Sequence, residues 1–159
     1  MRPLLVISIL VLLLGACGAA EPSHPDDGGA AAARGTMIVY KSPTCGCCQE
    51  WIAYVRRHGF AVTVQETDDL APLKARHGVP VSAQSCHLAL IDGYALEGHV
   101  PVAEITRLLA ERPPLLGLAV PGMPLGSPGM EVPGGAQDAF DVLGFDAQGA
   151  TSVFARYSR

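Results

Sequence analysis

Three cysteines within four residues constrain the fold and chemistry of this chain more than any other feature. They are Cys45, Cys47 and Cys48. Residues 37–40 before them have the pattern of a short buried strand, and residues 49–58 after them that of a helix. The thiols are therefore expected at a strand-to-helix turn, against a helix N-terminus. Because the helix dipole favours negative charge there, they are expected to ionise more readily than an ordinary cysteine, whose pKa is about 8.5.

Residues 1–16 have the features of a bacterial lipoprotein signal peptide. A positive charge at Arg2 is followed by an apolar stretch over residues 4–14, which is too short to span a bilayer as a mature helix. The stretch ends in Leu14-Gly15-Ala16-Cys17, which resembles a lipobox. We expect cleavage before Cys17 and lipidation of its thiol, with an ordinary secretory signal as the alternative. No acidic residue follows Cys17 directly, so the expected location is the outer membrane, facing the periplasm.

The remaining chain divides into a tether and one domain. Residues 17–35 are rich in Ala, Gly, Pro and Asp, which predicts a flexible tether between the lipid bilayer and the domain. Residues 36–159 are enough for one domain with its own core. The net charge of -4, without a basic run, argues against nucleic acid as a partner.

The periodicity of the domain predicts an α/β fold with the order β-α-β-α-β-β-α. The predicted strands are residues 37–40, 61–65, 87–91 and 94–97, and the predicted helices are 49–58, 70–77 and a third that starts at Pro101 and stops before Pro113. A parallel pair joined by a helix, then an antiparallel hairpin and a last helix, is the thioredoxin-like order. Residues 115–135, rich in Gly and Pro, are expected to wrap the domain as a loop. Residues 141–145 and 151–157 are expected to form a C-terminal β-hairpin that extends the sheet.

Four cysteines remain once Cys17 is assigned to the lipid. In a thioredoxin-like order the loop before the third strand lies beside the turn after the first, so Cys86 is expected to face Cys45, Cys47 and Cys48. Three interpretations are open. The C-x-x-C pair Cys45 and Cys48 is typical of thiol–disulfide oxidoreductases. Four thiolates are also the ligand set of a structural zinc module. Adjacent Cys47 and Cys48 point in different directions, however, which favours thiolates that bridge several soft ions such as Cu(I).

Several longer motifs resemble one known family, the CopG-type copper-resistance proteins. They are residues 40–48, Ser85-Cys86-His87, Asp92-Gly93-Tyr94, residues 97–101, 117–124 and 126–131. The resemblance implies a thioredoxin-like, periplasmic metal-binding protein with a cysteine-bridged multinuclear copper cluster and Cu(I)/Cu(II) redox handling. It implies Cys45, Cys47, Cys48 and Cys86 as ligands, and copper-export or copper-chaperone proteins as partners. Whether the protein turns over a substrate stays open.

Other side chains are candidates for a supporting role at the metal site. Met123 and Met130 are candidate outer thioether ligands, with packing of loop methionines as the alternative. His87 adjoins Cys86 and is a candidate outer ligand or tuning residue, unless it points away from the thiols. His99, before Pro101, is interpreted as a residue that leads into the third helix, with a role at the site as the alternative.

Overall fold

The computed structural model describes residues 34–158. The predicted signal peptide, the lipidation of Cys17 and most of the predicted tether lie outside the described residues. Within residues 34–158, no helix is both long enough and apolar enough to cross a bilayer.

The described chain is a mixed α/β domain with one seven-stranded sheet and three α-helices. The strands are Thr36–Lys41 (β1), Ala61–Glu66 (β2), His87–Ile91 (β3), Tyr94–Glu97 (β4), Gly117–Ala119 (β5), Phe140–Phe145 (β6) and Thr151–Tyr157 (β7). The helices are Gly46–Arg57 (α1), Ala71–Arg76 (α2) and Val102–Glu111 (α3), and one 3-10 turn covers Val81–Ala83. Up to α3, the strands and α-helices follow the predicted order.

The sheet places β1 and β3 at the centre of the region that carries the cysteines. The strand order is β2-β1-β3-β4-β5-β6-β7. Strands β1 and β2 are parallel and are joined through α1, whereas β3 runs antiparallel to both β1 and β4. The C-terminal end of β1 therefore lies beside the N-terminal end of β3, with Lys41 opposite His87. This register brings the turn after β1 next to the segment that precedes β3.

Alternating strand residues face two separate cores. On one face, α1 and α3 cover the sheet through Trp51, Ile52 and Ile105, which are at most 1% exposed. On the other face, Leu73 of α2 packs against a smaller cluster that includes Phe145. Helix α1 is thus held along its length by apolar contact, which fixes the position of its N-terminus.

Two elements differ from the sequence prediction. Helix α1 begins at Gly46 rather than Gln49, so that Cys47 and Cys48 belong to its first turn. The Gly- and Pro-rich stretch, predicted as a loop, contributes the short buried strand β5. A side chain at Gly117 would collide with the Ala95 carbonyl of β4, so glycine permits this close pairing. Strand β5 also joins the predicted C-terminal hairpin to the rest of the sheet, because β6 pairs with it.

Candidate metal centre

The turn after β1 is shaped by a buried lysine. The Lys41 side chain is fully buried, and its Nζ donates to the Ser42 carbonyl oxygen at 3.0 Å and to Glu66 Oε1 at 3.1 Å. The Cys45 backbone N–H donates back to the same Ser42 carbonyl at 3.1 Å. Residue Cys45 then occupies the N-cap position of α1. The local geometry therefore places the cysteines at a strand-to-helix turn, as the sequence predicts.

All four predicted cysteines converge on one site. Cys45 Sγ lies 3.7 Å from Cys47 Sγ, and Cys47 Sγ lies 4.0 Å from Cys86 Sγ. Each of the four sulfur atoms lies within 4.8 Å of the others. The approach of Cys86, thirty-nine residues from Cys47, follows from the antiparallel register of β1 and β3. Their convergence is what a shared metal site requires; which of them bind metal remains a prediction.

The cysteines are in two chemical states. Cys45 and Cys48 form a disulfide. Cys47 and Cys86 are free thiols in the described part of the chain, and both are partly buried. A disulfide sulfur is not a thiolate, so only the reduced form offers four thiolate ligands. Reduction of the Cys45–Cys48 bond takes two electrons and two protons and restores both thiols.

His99 lies beside Cys86, which favours the alternative of a role at the site over the interpretation as a helix-entry residue alone. Its Nε2 lies 3.1 Å from Cys86 Sγ. Gly98 explains the placement, because its φ of +71° turns the chain at the end of β4 and its N–H donates to the His87 carbonyl at 3.0 Å. The turn directs the next side chain back toward Cys86. The motif at residues 97–101 is the sequence signal that could have identified His99.

A hydrogen bond to the Gly- and Pro-rich loop orients the His99 ring. Its Nδ1 lies 2.8 Å from the Pro128 carbonyl oxygen, which can only accept. We assign the proton to Nδ1 on this basis, so that the Nε2 lone pair faces Cys86. Burial lowers the pKa of His99, partly opposed by the bond to Pro128 and the charge of Glu131. A neutral imidazole held by a carbonyl is the usual arrangement of a metal-ligating histidine.

His87 also adjoins Cys86 rather than pointing away from it. Its Nδ1 lies 3.3 Å from Cys86 Sγ, and its ring packs 4.5 Å from the Trp51 ring. Burial, followed by the charges of His99 and Lys74, holds the pKa of His87 well below its usual range. Its Nε2 has no hydrogen-bond partner among residues 34–158. Cys86, His87 and His99 thus form a second group of donor atoms that shares one thiol with the cysteine group.

The two candidate methionines occupy different surroundings. Met123 Sδ lies 3.8 Å from Cys47 Sγ, and the residue is 51% exposed. Met130 belongs to a turn in which its backbone N–H donates to the Ser127 carbonyl at 2.8 Å. Within the described chain, no hydrogen-bonded contact joins the Met130 sulfur to a thiol. Among the described residues, Met123 is therefore the methionine whose sulfur contacts a thiol.

The electrostatics of the site keep Cys86 protonated while it is free of metal. Burial, with the neighbouring Cys47 as the second cause, raises the pKa of Cys86 to about 12, and the nearby Ser85 hydroxyl opposes this only in part. The expected ease of ionisation at the helix N-terminus does not extend to this thiol, which lies outside the helix. A metal that binds Cys86 must therefore displace a proton.

The donor set fits a soft metal ion. It combines four cysteine sulfurs, two neutral imidazoles and one thioether, without a carboxylate in either group of candidate ligands. Thiolate and thioether ligands select Cu(I) and also suit zinc, whereas Mg²⁺ and Ca²⁺ require oxygen ligands. The arrangement can therefore bind Cu(I) or Zn²⁺, or exchange electrons through its dithiol pair.

The comparisons with known proteins agree with this chemistry. A solved structure described as "Copper resistance protein copG- Form 2" is 48% identical, with a TM-score of 0.73, over 77% of this chain and 98% of that chain. "Copper resistance protein copG- Form 1" matches with the same identity and TM-score over 78% of this chain and 98% of that chain. Residues 83–130 match the family described as "Protein of unknown function, DUF411". No curated protein matches the chain. At this identity and coverage, the chain belongs to the CopG family of copper resistance proteins.

Proposed function

We propose that this chain is a lipid-anchored periplasmic protein that holds Cu(I) in a multinuclear cysteine-thiolate site. The observation that carries the proposal is the convergence of Cys45, Cys47, Cys48 and Cys86 within 4.8 Å. Thiolates can bridge metal ions. Four sulfurs that include the adjacent Cys47 and Cys48 suit bridging between several Cu(I) ions better than tetrahedral binding of one zinc ion. Both matching solved structures are described as a copper resistance protein, which favours copper over zinc.

The fold supports the proposal through the position of the helix. We infer a thioredoxin-like arrangement from the parallel β1–β2 pair crossed by α1, the antiparallel strands β3 and β4, and the helix α3 that follows them. In this arrangement Cys45, Cys47 and Cys48 lie at the N-terminus of α1, where the helix dipole favours negative charge. The protein would use this position to retain Cu(I) and, when both oxidation states are present, to handle Cu(I)/Cu(II) exchange.

The protein's own residues would control metal uptake through protons and electrons. Reduction of the Cys45–Cys48 disulfide supplies two more thiols. Binding then releases protons from the thiols, so that affinity falls at low pH. Copper-export or copper-chaperone proteins of the periplasm would deliver or remove the metal. The exposed Met123 sulfur next to Cys47 offers a first contact for an arriving Cu(I) ion.

The test is the metal content per chain, measured by elemental mass spectrometry on the full chain extracted in detergent after growth with copper. We expect more than one copper per chain in the reduced protein and a clear loss in Cys86→Ser. Met123→Ala should weaken Cu(I) binding in a competition with a chromophoric chelator. Met130→Ala is the matched control, and it should bind like the unmodified protein. One zinc per chain, or no metal, would contradict the copper proposal.

A second candidate function is thiol–disulfide exchange, because Cys45 and Cys48 are joined as a disulfide. A redox-active C-x-x-C pair at a helix N-terminus is typical of such oxidoreductases. This function predicts disulfide reductase activity that persists in Cys86→Ser and in the presence of a metal chelator. Loss of all reductase activity under chelation would exclude it.

Membrane attachment through Cys17 is a separate proposal with its own test. Metabolic labelling with a radioactive fatty acid should mark the full chain and leave Cys17→Ser unlabelled. Fractionation should then release Cys17→Ser into the soluble periplasmic extract. An unlabelled chain that is nevertheless exported would indicate an ordinary secretory signal.

A further inference from the structure

A buried ion pair contacts the residue that precedes Cys86 in the candidate metal centre. The Lys74 side chain on α2 is 5% exposed and the Glu97 side chain at the end of β4 is fully buried, and Nζ lies 2.7 Å from Oε1. Burial of two charges carries a large desolvation cost, so such a pair is weak support for stability. The pair can instead position the chain segment that it contacts.

The segment that the pair contacts is Ser85. Lys74 Nζ donates to the Ser85 carbonyl oxygen at 2.6 Å, and the Ser85 N–H donates to Glu97 Oε1 at 2.5 Å. Ser85 lies outside the helices and strands, so its peptide groups lack partners in a ladder. The ion pair therefore satisfies both backbone polar groups of a residue in irregular structure.

Ser85 in turn is fixed against the metal centre. It precedes Cys86, and its Oγ donates to the Gly122 carbonyl oxygen and lies 3.9 Å from Cys86 Sγ. On its other side, a Cβ added to Gly98 would lie 2.6 Å from Ser85 Cβ. The position of Ser85 thus fixes the start of Cys86, which follows it in the chain. Through the bond to Gly122 it also fixes the start of the loop that carries Met123.

We propose that Lys74 and Glu97 are positioning residues that hold the Cys86 thiol in place opposite Cys47. This inference rests on the proposed metal-binding function, which it deepens. The two side chains, called the positioning pair below, act through the backbone of Ser85 and do not touch the thiols. Residues that orient a ligand in this way commonly affect metal affinity nearly as much as the ligands themselves.

The variant K74L/E97L removes the positioning pair without leaving one charge buried alone. Replacement of a buried ion pair by apolar side chains is often neutral for stability, whereas removal of one partner is not. The double variant therefore avoids the cost of a lone buried charge, and it removes the partners of the Ser85 N–H and carbonyl. D141N/R156Q is the control, since it removes an exposed ion pair with an Nε–Oδ1 distance of 3.7 Å in the C-terminal hairpin.

The first measurement is the alkylation of the two free thiols, followed by mass spectrometry in the metal-free protein with its disulfide intact. In K74L/E97L the rate at Cys86 relative to Cys47 should rise about tenfold or more, because a released thiol becomes exposed and reactive. The ratio should stay near that of the unmodified protein in D141N/R156Q. A folded K74L/E97L protein with an unchanged ratio would overturn the inference.

The second measurement is Cu(I) affinity, by competition with a chromophoric chelator after reduction. We expect K74L/E97L to bind about 10–100-fold more weakly than the unmodified protein and D141N/R156Q to bind equally well. Equal affinity in K74L/E97L would overturn the inference. If the unmodified protein binds no Cu(I), the proposed function fails, while the alkylation ratio still decides the role of the positioning pair.

Hydrogen exchange tests the same contact in the unmodified protein, in case K74L/E97L does not fold. The inference expects the Ser85 amide to exchange as slowly as the amides of β3, because it donates to a buried carboxylate. Slow exchange would support the role of the pair. Exchange of the Ser85 amide at the rate of an exposed loop would overturn it.

Discussion

The loop that covers the metal centre depends on a close contact at Gly129, which makes Gly129→Ala an informative perturbation. Gly129 has a φ of +83°, and an added Cβ would lie 2.6 Å from the Trp51 backbone nitrogen of α1. Nonbonded heavy atoms prefer separations of about 3.5–4.0 Å. The added methyl group must therefore displace the loop from α1 by about 1 Å. Pro128 would move with it, and the hydrogen bond from His99 Nδ1 to the Pro128 carbonyl would be lost.

The expected cost has two parts. A left-handed backbone at a residue with a Cβ costs about 1–2 kcal/mol. Overpacking against α1 costs about 1–3 kcal/mol more. The total of about 2–5 kcal/mol is a large fraction of the roughly 5–15 kcal/mol by which a typical domain is stable. Gly129→Ala should therefore lower the midpoint of urea unfolding clearly, without preventing the fold.

Gly134 offers a matched control for the backbone part of the cost. Its φ is +66°, and no atom lies within 4 Å of the position of an added Cβ. Gly134→Ala should lose only about 1–2 kcal/mol. The difference between the two variants measures the contact with α1. Equal losses in Gly129→Ala and Gly134→Ala would refute the claim that the loop packs closely on α1.

Three further predictions concern stability and its pH dependence in the metal-free protein. Burial, with the charge of Glu104 as the second cause, raises the pKa of Tyr157 from 10.0 to about 12, so the unfolded state loses its proton first. Stability should fall as pH rises from 10 toward 12, and less so in Tyr157→Phe, as urea unfolding at each pH would show. Burial keeps His87 neutral with a pKa well below 6.5, so that the unfolded state binds the proton first and stability should fall as pH drops below 6.5. Trp51→Phe should destabilise by about 1–3 kcal/mol in urea unfolding, because the buried Trp51 Nε1 donates to the Val100 carbonyl at 3.0 Å, which would lose its partner.

The sequence predicts much of the fold because local patterns carry it. The apolar run at residues 88–91 and the turn at residues 92–93 place β3 and β4 with their observed bounds. The start of α1 at Gly46 is less visible, because glycine and cysteine are weak helix formers and the helix there is held by tertiary packing. Strand β5 has only three residues, which is too short to show a period, so no local pattern reveals it.

In the candidate site too, some residues can be placed from the sequence and others cannot. Cysteine spacing and the predicted strand order suffice to bring Cys86 to the helix N-terminus. The position of His99, by contrast, depends on the positive φ of Gly98 and on a carbonyl from a loop that is distant in sequence. Lys74 and Glu97 are residue types that ordinarily lie on the solvent face, and only the assembled fold shows that they are buried together.

The state of the disulfide determines which donors the site can offer. With Cys45 and Cys48 joined, the remaining strong donors are the thiols of Cys47 and Cys86 and the two imidazoles beside Cys86. Reduction doubles the number of thiols. The two new thiols, Cys45 and Cys48, lie at the N-terminus of α1, where the helix dipole favours negative charge. Under the proposed function, the reduced protein therefore binds more Cu(I) than the oxidised protein. Oxidation would leave the metal with fewer sulfur ligands, so a change in thiol state is sufficient to favour its release.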